Sequence, residues 1–535
     1  MREEFILNDQ LSASGIDPSF AIPLGYTTLN LGDIERAFDS ENFIYNEQEA
    51  VFAFVYRQEI ARLSASQLGL ISSQEIGFDV ALSDGQASVL NALPAGQTFE
   101  FSYPAEIDLS FENGPEIETV TFNNGALILN LASTLPQNAE GTLSIPALTL
   151  NGTPLQIPIS ISANSTLEIE VDLNNYVLDL TQGGSGFNYL LVNVDLAITS
   201  SGAPASGGDG VSFELTFDFN AFESIYGYLG TPPAYTFLDT QYVDLFKNLI
   251  DGTLFFAEPR IDLTISNASG IPFEINLSGV FAPENQVETA LGGPDLTNIP
   301  IIIAAPSPGM TGTTLHTITS QGTIPSLSTV LQEGPFELLY ETNVQINPLG
   351  NVQNWLLDSS YLACTAELFL PFYCYADNFA IADTIDLDFA SILGNDGEGP
   401  IDWQDVKRMQ LRLVADNGLP IEMFGQVYFT DSLYNVIDSL YFDSNSAFLA
   451  SGFIDFSLPP SHPDHGRVLS ETRTIRDSEL TRDEITVLLN ENAKKVILKA
   501  RSNTSGASTQ ELVRFYPEYE LKMKLSAKID TQIEL

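Results

Sequence analysis

The stretch IDLTISNASGIPFEINLSGVF, residues 261–281, decides the fold, and MQLRLVADNGLPIEMFGQVYF, residues 409–429, repeats its pattern. The two stretches align without a gap at an offset of 148 residues, which superposes the Gly-x-Pro of 270–272 on that of 418–420. Apolar and polar residues alternate on both sides of the Gly-x-Pro, which indicates half-buried β-strands. The glycine and a preceding asparagine favour a turn, and the proline begins the second strand because it lacks an amide donor. We therefore predict two equivalent hairpins in two separate β-sandwiches.

A fainter third copy of the pattern, LSIPALTLNGTPLQIPISISA, covers residues 143–163. Asn123-Asn124-Gly125 lies between two apolar runs and is a further hairpin signal. Short runs of Val, Ile, Thr, Phe and Tyr, broken by Gly, Pro, Asn and Ser, recur along the chain, which is typical of all-β proteins. The predicted fold class is all-β with minor α: several antiparallel β-sandwich domains in tandem with a few short helices.

The length of 535 residues suggests several domains. We expect an N-terminal β-rich segment with a short helix, then three β-sandwich domains, then a C-terminal helix and strands that pack on the preceding domain. The last two sandwiches would each contain one strong copy of the repeat. The five predicted segments are 1–75, 76–235, 236–345, 346–460 and 461–535.

Local signals predict several helices and turns. The sequence Thr481-Arg482-Asp483-Glu484 is a capping box, which predicts a helix that runs to about residue 492. Asp239 is expected to cap a helix that extends to Ile250, with apolar residues on one face. A short helix is predicted over residues 33–38, and Ser83-Asp84-Gly85 is expected to form a turn.

Charge is distributed unevenly along the chain. The first 460 residues hold 9 basic and 58 acidic residues, whereas residues 461–535 hold 12 of each. An acidic surface repels nucleic acid and anionic lipid, so neither is expected as a partner. No run approaches the roughly 20 apolar residues that a membrane helix needs, so no transmembrane segment is expected.

We predict that the basic C-terminal segment packs against the acidic body. Exposed ion pairs contribute little, so apolar side chains should supply most of the adhesion and charge should set the orientation. The predicted basic contacts are Lys494, Lys495, Lys499, Arg501 and Arg514, and the predicted apolar contacts are Val496, Leu498 and Phe515.

The two cysteines, Cys364 and Cys374, lie ten residues apart in a run that is predicted to form two strands separated by Pro371. One disulfide across a hairpin and two buried free thiols both fit this spacing. An oxidising compartment would permit the disulfide. Neither cysteine has a histidine or a basic residue nearby in the sequence, which argues against a catalytic thiolate.

Residues 20–62 and 360–535 resemble large uncharacterised cell-surface lipoproteins of Bacteroidota. The likeness is carried by the IPL opening, by AELFLPFYCYADNFAIADTIDLDF at 366–389, by GLPIE and by FYPEYELKMKLSAKI near the end. It implies an extracellular location at the outer-membrane surface. Two departures are that Met1 stands where the lipid-carrying cysteine is expected, and that Cys374 replaces the glycine of that family's LPLYG stretch. The repeat units also resemble late-embryogenesis-abundant, water-stress β-sandwich domains, which have no catalytic site of their own.

Two loops offer candidate metal ligands. Asn395, Asp396, Glu398 and Asp402 supply oxygen atoms of the kind that Ca²⁺ prefers, although their spacing does not fit an EF-hand and a solvated turn is the alternative. The His462-Pro463-Asp464-His465 stretch offers two imidazoles and a carboxylate for a transition metal, with a stiff exposed loop as the alternative. No other cofactor is expected.

No recognisable catalytic arrangement occurs in the sequence. There are three histidines, no Gly-x-Ser-x-Gly and no pair of acids in a recognisable glycosidase setting. We therefore expect a non-catalytic extracellular or cell-surface protein with a structural or binding role in an outer-membrane surface assembly. Its partner would be a protein at the outer membrane or in the extracellular matrix, or a second copy of the chain. The alternatives are a glycan- or ligand-binding surface lipoprotein that serves an outer-membrane transporter, and an unrecognised hydrolase.

Overall fold

The computed structural model describes most of the chain between residues 19 and 531. The described residues are 19–30, 42–47, 51–68, 71, 73–184, 186–219, 221–246, 252–284, 287–297, 301–386, 406–441, 447–459, 462, 464–490 and 495–531. Within these ranges the strands pair antiparallel throughout and the helices are few and short, which confirms the predicted all-β class with minor α. No helix in the described ranges combines the length and the apolar character needed to span a membrane.

The first half of the described chain contains strands β1 to β18 in chain order. They are β1 (Ser19–Asn30), β2 (Phe43–Asn46), β3 (Val51–Ser64), β4 (Gln74–Ala81), β5 (Thr98–Asp108), β6 (Glu116–Phe122), β7 (Ala126–Ser133), β8 (Ala139–Leu150), β9 (Thr153–Ile161), β10 (Thr166–Asp172), β11 (Val177–Asp179), β12 (Tyr189–Thr199), β13 (Gly210–Phe217), β14 (Phe222–Tyr228), β15 (Tyr235–Tyr242), β16 (Thr253–Phe256), β17 (Arg260–Asn267) and β18 (Phe273–Glu284).

The second half contains strands β19 to β35. They are β19 (Val287–Leu291), β20 (Ile301–Ile303), β21 (Gly312–Thr319), β22 (Glu337–Ile346), β23 (Asn354–Leu357), β24 (Tyr361–Pro371), β25 (Tyr373–Asp377), β26 (Phe379–Asp386), β27 (Val406–Asn417), β28 (Ile421–Thr430), β29 (Val436–Tyr441), β30 (Phe453–Ile454), β31 (Val468–Ser470), β32 (Thr472–Thr481), β33 (Lys495–Thr504), β34 (Val513–Arg514) and β35 (Glu520–Thr531).

Short helices connect some of these strands. The α-helices are Ala65–Leu68, Asp84–Ala92, Pro294–Thr297, Leu327–Gln332 and Arg482–Asn490, and 3₁₀ turns occur at Asp244–Phe246, Ser320–Gly322 and Ala507–Thr509.

Two large sheets pack face to face in the first part of the chain. One has the order β10-β7-β13-β4, and the other has the order β23-β14-β6-β11-β8-β12-β5 with β9 paired to β8. Phe219 bridges them, because its ring lies 6.0 Å from that of Phe122 on one sheet and 5.9 Å from that of Phe217 on the other. Alternating buried residues on strands of both sheets, such as β7 and β12, make this core, as the period of two predicts.

Two further pairs of sheets follow. The sheet β2-β3-β24-β17-β21 faces β15-β22-β18-β19, in which β20 also pairs with β18; Gln241 on the second sheet donates to the carbonyl oxygen of Tyr56 on the first at 2.7 Å. The sheet β1-β35-β27-β32 faces β26-β33-β28-β29 around Ala415, Leu449 and Leu521. A three-stranded sheet, β16-β25-β34, and the pair β30-β31 complete the described fold.

The sheets cross the predicted domain boundaries. The strand β1 pairs with β35, so a strand from the predicted segment 1–75 belongs to a sheet formed by the C-terminal part of the chain. The strand β3 pairs with β24, and β23 extends a sheet of the segment 76–235. The four predicted boundaries, at 75, 235, 345 and 460, therefore all separate strands that share hydrogen bonds. Sequence order does not specify which strands pair, and the pairings here join distant parts of the chain.

Both copies of the repeat are strand–turn–strand units, but neither is a hairpin. The strand β17 pairs with β21 and β24, whereas β18 pairs with β19, β20 and β22. In the second copy β27 pairs with β32 and β35, whereas β28 pairs with β29 and β33. The predicted hairpins are therefore wrong: each unit is an arch that carries the chain from one sheet to the facing sheet. Alternation shows which side of a strand is buried, and that side is the same in a hairpin and in an arch.

The other two hairpin predictions have opposite outcomes. The fainter copy at 143–163 is a true hairpin, because β8 pairs with β9 and the two turn residues Asn151 and Gly152 have φ of 50° and 79°. Positive φ at both positions matches a two-residue hairpin turn. The Asn123-Asn124-Gly125 hairpin is wrong, because β6 and β7 lie in different sheets. In that turn Asn124 alone has positive φ, at 57°.

Of the helix predictions, one is confirmed and another is wrong. The capping box is confirmed: the Glu484 carboxylate accepts from the Thr481 amide at 2.7 Å, and the helix begins at the next residue. The helix expected from Asp239 to Ile250 is wrong, because β15 continues to Tyr242 and pairs with β22. The expected turn at 83–85 is instead the start of the helix Asp84–Ala92, which has a capping box between Ser83 and Gln86. The helix predicted over 33–38 lies outside the described residues.

Candidate ligand-binding cleft

A cleft lies between the three-stranded sheet β16-β25-β34 and the sheet that contains β17 and β24. The chain passes between these two sheets at two places. Between β16 and β17 the change occurs at Pro259, and between β24 and β25 it occurs next to Pro371. Proline cannot donate to a ladder, so both positions suit an interruption of strand pairing. The two prolines line a cleft of about 550 Å³. The cleft therefore forms where the two sheets separate.

Arg260 lines one part of this cleft and is stacked on an aromatic ring. It lies opposite Phe369 in the register of β17 and β24, and its guanidinium carbon is 3.9 Å from the centroid of that ring. Its Nε donates to the Asp262 carboxylate at 2.9 Å. The contact with the ring and the ion pair together restrain the position of the guanidinium.

Arg514 lines the cleft as well and repeats the arrangement on a different sheet. It lies opposite Tyr373 in the register of β25 and β34, and its guanidinium carbon is 4.0 Å from the centroid of the tyrosine ring. Within the part of the chain that the structure describes, no carboxylate forms an ion pair with Arg514. The cleft thus contains a stacked arginine whose charge no described acid neutralises.

The remaining polar lining of the cleft is mostly neutral. Thr319 and Gln321 are exposed and contribute a hydroxyl and an amide, and Glu258 is exposed and contributes a carboxylate. The Asp262 carboxylate offsets the charge of Arg260, which leaves Arg514 positive and Glu258 negative in the described lining. On a chain with a formal net charge of -49, the cleft therefore presents one guanidinium that no described acid offsets.

The C-terminal segment supplies Arg514, as part of the contact that the charge pattern predicts. Arg514 and Phe515 are confirmed as contacts with the body: the Phe515 ring is buried and lies 5.3 Å from that of Phe372. The Arg501 side chain is exposed. Of the other predicted contacts, Lys494 and the side chains of Lys495, Val496, Leu498 and Lys499 lie outside what the structure describes.

The candidate metal ligands have two different outcomes. Asn395, Asp396, Glu398 and Asp402 all lie outside the described residues, so the Ca²⁺ site stays a prediction.

The histidine loop is partly described. His462 Nδ1 accepts from the Asp464 amide at 3.1 Å, and His465 is buried with Nδ1 3.0 Å from the Leu458 carbonyl oxygen. Each histidine therefore uses one ring nitrogen for a hydrogen bond within the loop. Nowhere in the described ranges do three His, Cys, Asp or Glu side chains converge as a metal site.

Both cysteines are buried free thiols, which is one of the two arrangements that their spacing allows. Cys364 lies on β24 and Cys374 on β25, in different sheets, so the hairpin that a disulfide would cross does not exist. Burial raises the pKa of each thiol to about 12. At neutral pH both are therefore protonated and poor nucleophiles.

Sequence reasoning missed Arg260, although a signal for it exists. Arg260 is the single basic residue between Lys247 and Lys407, and it directly follows Glu258-Pro259. A single basic residue in a long acidic stretch is unusual, so Arg260 could have been identified as a candidate functional residue. Nothing in the sequence, however, indicates that Arg514 joins it.

Comparison with known protein families and with curated proteins gives no match. Among solved structures, the chain is similar to a candidate secreted protein from Parabacteroides distasonis, at 9% identity over 96% of this chain and 99% of that one, with a TM-score of 0.28. It is also similar to the Sulfolobus turreted icosahedral virus structure, at 11% identity over 90% and 97% of the two chains, with a TM-score of 0.12. A third is the PBSX exported protein XepA, at 8% identity over 63% and 96%, with a TM-score of 0.13. At these scores the similarities carry no argument about function.

Proposed function

We propose that this chain is a non-catalytic extracellular binding protein whose ligand occupies the cleft lined by Arg260 and Arg514. One observation carries the proposal: strands distant in sequence bring together two guanidiniums, each stacked on an aromatic ring, on an otherwise acidic protein. Clefts of about 300–1,000 Å³ with a few placed polar groups are typical of ligand sites. The volume of about 550 Å³ lies within that range.

Binding is favoured over hydrolysis by the composition of the cleft. Glycoside hydrolysis ordinarily needs two carboxyl groups on either side of the scissile bond. Among the described residues that line the cleft, Glu258 is the one acid. The same cleft would also suit a surface protein that binds a ligand for an outer-membrane transporter.

The proposed location is the outer-membrane surface. Its support is the resemblance of residues 20–62 and 360–535 to Bacteroidota surface lipoproteins. The scarcity of basic residues in the first 460 positions adds to it, because trypsin-like proteases then find few cleavage sites. Treating intact cells with proteinase K tests the location. Degradation of the protein on intact cells is expected, and degradation only after the cells are broken would contradict it.

Binding is tested with an array of oligosaccharides and small metabolites. The full-length chain, Arg514→Met and the control Arg501→Met are labelled and applied to the same array; Arg501 is exposed in the same C-terminal segment. We expect at least one probe to be retained by the wild type and the control, and to be lost by Arg514→Met. Mass spectrometry of that probe after incubation should show it intact. The proposal is wrong if no probe is retained, if Arg514→Met binds like the wild type, or if the probe is cleaved.

A further inference from the structure

We infer that the cleft recognises a carboxylate group on a small, otherwise uncharged molecule, with Arg514 as the principal contact. The inference rests on the proposed function, because it names the ligand class of the same cleft. It goes beyond that function by assigning the group that is recognised and the side chain that recognises it.

The geometry of the arginines favours recognition of a planar anion in the ligand. A guanidinium presents its N–H groups in its own plane and forms two parallel hydrogen bonds to a carboxylate. The Arg514 guanidinium carbon lies over the Tyr373 ring at 4.0 Å from its centroid, which leaves the N–H groups to donate away from the ring. Arg260 already donates from Nε to Asp262, so its contribution is assigned to its charge and to the shape of the cleft.

The charge of the cleft favours a ligand that carries a single negatively charged group. Asp262 offsets the charge of Arg260, so the described lining offers one guanidinium without a described acid partner, Arg514, beside the Glu258 carboxylate. A polyanion would gain this one contact but would meet repulsion from a chain with a formal net charge of -49. A ligand with one carboxylate and a neutral remainder avoids most of that repulsion.

The neutral side chains of the cleft suit a hydroxylated remainder. Gln321 is exposed beside the arginines, and its amide offers both a donor and an acceptor. The Thr319 hydroxyl, by contrast, already donates to the Asp295 carboxylate at 2.9 Å and accepts from the Gly322 amide at 3.0 Å. A sugar acid carries a carboxylate and several hydroxyls in one molecule, whereas a simple hydroxy acid carries the carboxylate with little else. The experiment separates these two sources.

The test measures the affinities of four probes for the full-length chain by ligand-observed NMR titration. Galacturonate and galactose differ at one carbon, where the carboxylate replaces a hydroxymethyl group. Galactose 6-sulfate carries a tetrahedral anion, and lactate carries the carboxylate on a small acid. We expect galacturonate to bind at least about tenfold more tightly than galactose, because hydrogen bonds to charged groups are the stronger ones. Lactate that binds as tightly as galacturonate would show that the carboxylate alone is recognised, and weaker binding of lactate would favour a sugar acid.

Three variants separate charge from geometry. Arg514→Met should abolish galacturonate binding, and Arg514→Lys should weaken it by about tenfold because lysine keeps the charge but lacks the planar fork. Glu258→Gln should strengthen it by about threefold, because a like charge is removed from the cleft. Arg501→Lys is the control and should leave the affinity unchanged. Urea unfolding of each variant confirms that it is folded, and the Arg514→Lys and Glu258→Gln results still decide the matter if Arg514→Met is unstable.

The possible failures are distinct. Equal binding of galactose and galacturonate, both lost in Arg514→Met, would overturn the carboxylate inference and leave the proposed binding function in place. Tighter binding of galactose 6-sulfate than of galacturonate would also overturn it. The absence of binding by all four probes would overturn the carboxylate inference. Carboxylate binding that survives in Arg514→Met would show that the cleft is not the site and would overturn the proposed function as well.

Discussion

The two arches of this protein, one at Asn267 and one at Asn417, use the same side chain in the same way. In each, the asparagine amide nitrogen donates to the carbonyl oxygen four residues later, at 2.9 and 2.8 Å, and to a carbonyl of a distant loop, at 3.3 and 2.8 Å. Its side-chain oxygen accepts from the backbone amide two residues later, at 2.9 and 2.8 Å. Both asparagines are fully buried. The asparagine therefore defines the arch.

This equivalence corrects the alignment of the two repeats. The sequence alignment at an offset of 148 superposes Gly270 on Gly418, whereas the hydrogen bonds superpose Asn267 on Asn417 at an offset of 150. A shift of two residues returns every strand side chain to the same face of the sheet. The hydrophobic pattern is thus equally satisfied by both alignments and cannot distinguish them.

The arches differ in what packs against their glycines. Gly270 donates to the carbonyl oxygen of Trp355 at 2.8 Å, and a Cβ at Gly270 would overlap the indole ring. Gly418 donates to the carbonyl oxygen of Glu520 at 2.8 Å, and a Cβ there would lie 2.9 Å from that same oxygen. The asparagine is common to both arches, and each glycine is a local adaptation to its neighbour.

Removal of the asparagine is expected to have the largest effect. The Asn267 side chain makes four hydrogen bonds and the Asn417 side chain makes three, one of each set to a distant loop. Each buried group left without a partner costs about 1–3 kcal/mol, so Asn267→Ala should lower the free energy of unfolding by about 3 kcal/mol or more, and Asn417→Ala by slightly less. Urea unfolding measures both. Asn276→Ala, at an exposed asparagine on β18, is the control and should change the free energy by less than about 0.5 kcal/mol. Equal losses for Asn267→Ala and the control would refute the role of the asparagine.

Substitution of the glycines should have a smaller effect and should separate the two arches. Gly270→Ala forces a methyl group against the buried Trp355 ring, and overpacking of this kind costs about 1–3 kcal/mol. Gly418→Ala meets a single backbone oxygen, so a smaller loss of unfolding free energy is expected. The same urea experiment compares them. A larger loss for Gly418→Ala would mean that the C-terminal strand, not the indole, is the stricter neighbour.

The buried thiols report which arch opens. Cys364 is the register partner of Ile265 just before the first arch, and Cys374 lines an apolar cavity with Ile421 at the end of the second. Because the pKa of each thiol is raised to about 12, we expect both to react slowly with iodoacetamide at pH 8 in the folded state.

Local opening of each arch should therefore be visible as faster labelling of its own cysteine. Asn267→Ala should speed the labelling of Cys364, and Asn417→Ala that of Cys374, by about tenfold each. Peptide mass spectrometry measures the two rates separately. Equal acceleration of both cysteines in both variants would indicate that the two arches open together.

The smallest expected effect is a pH dependence in the loop between β28 and β29. The Asn435 side chain donates to the Asp431 carboxylate at 2.8 Å and the Asn435 amide donates at 2.9 Å, which lowers the pKa of Asp431 below its usual value. The folded pKa is below the unfolded one, so this carboxylate stabilises the fold above about pH 4, and the contribution is lost as the pH falls through the folded pKa. The wild type should be slightly more stable than Asp431→Asn at pH 6, and the difference should shrink towards pH 2. A difference that does not change with pH would exclude this linkage.

Features that depend on a few neighbouring residues could be predicted from the sequence. The alternation of Ile261, Leu263 and Ile265 predicts one buried face, and all three side chains are buried. The capping box at Thr481 and Glu484 predicts the start of a helix, because both of its hydrogen bonds close within three residues. A second capping box, at Ser83 and Gln86, shows the same chemistry and could have been recognised in the same way.

The candidate cleft could not be predicted, because its two arginines meet only through strand pairing. Arg260 reaches the cleft on β17 and Arg514 on β34, and each lies on the aromatic residue that its own sheet places opposite. The same limitation explains the wrong helix at 239–250. There Gln241 is buried and accepts from the Tyr340 hydroxyl at 2.6 Å, a partner about 100 residues away that holds the segment as a strand.

The sequence by itself determined most of the strands, their buried faces and most of the turn residues between them, because side-chain period and local hydrogen bonds act over a few residues. Only the tertiary structure decided which strands pair, and so which turns are hairpins and which are arches. The physical reason is that every strand edge offers the same backbone donors and acceptors. The partner is therefore selected by how the buried faces pack across the whole chain, and the cleft follows from that selection.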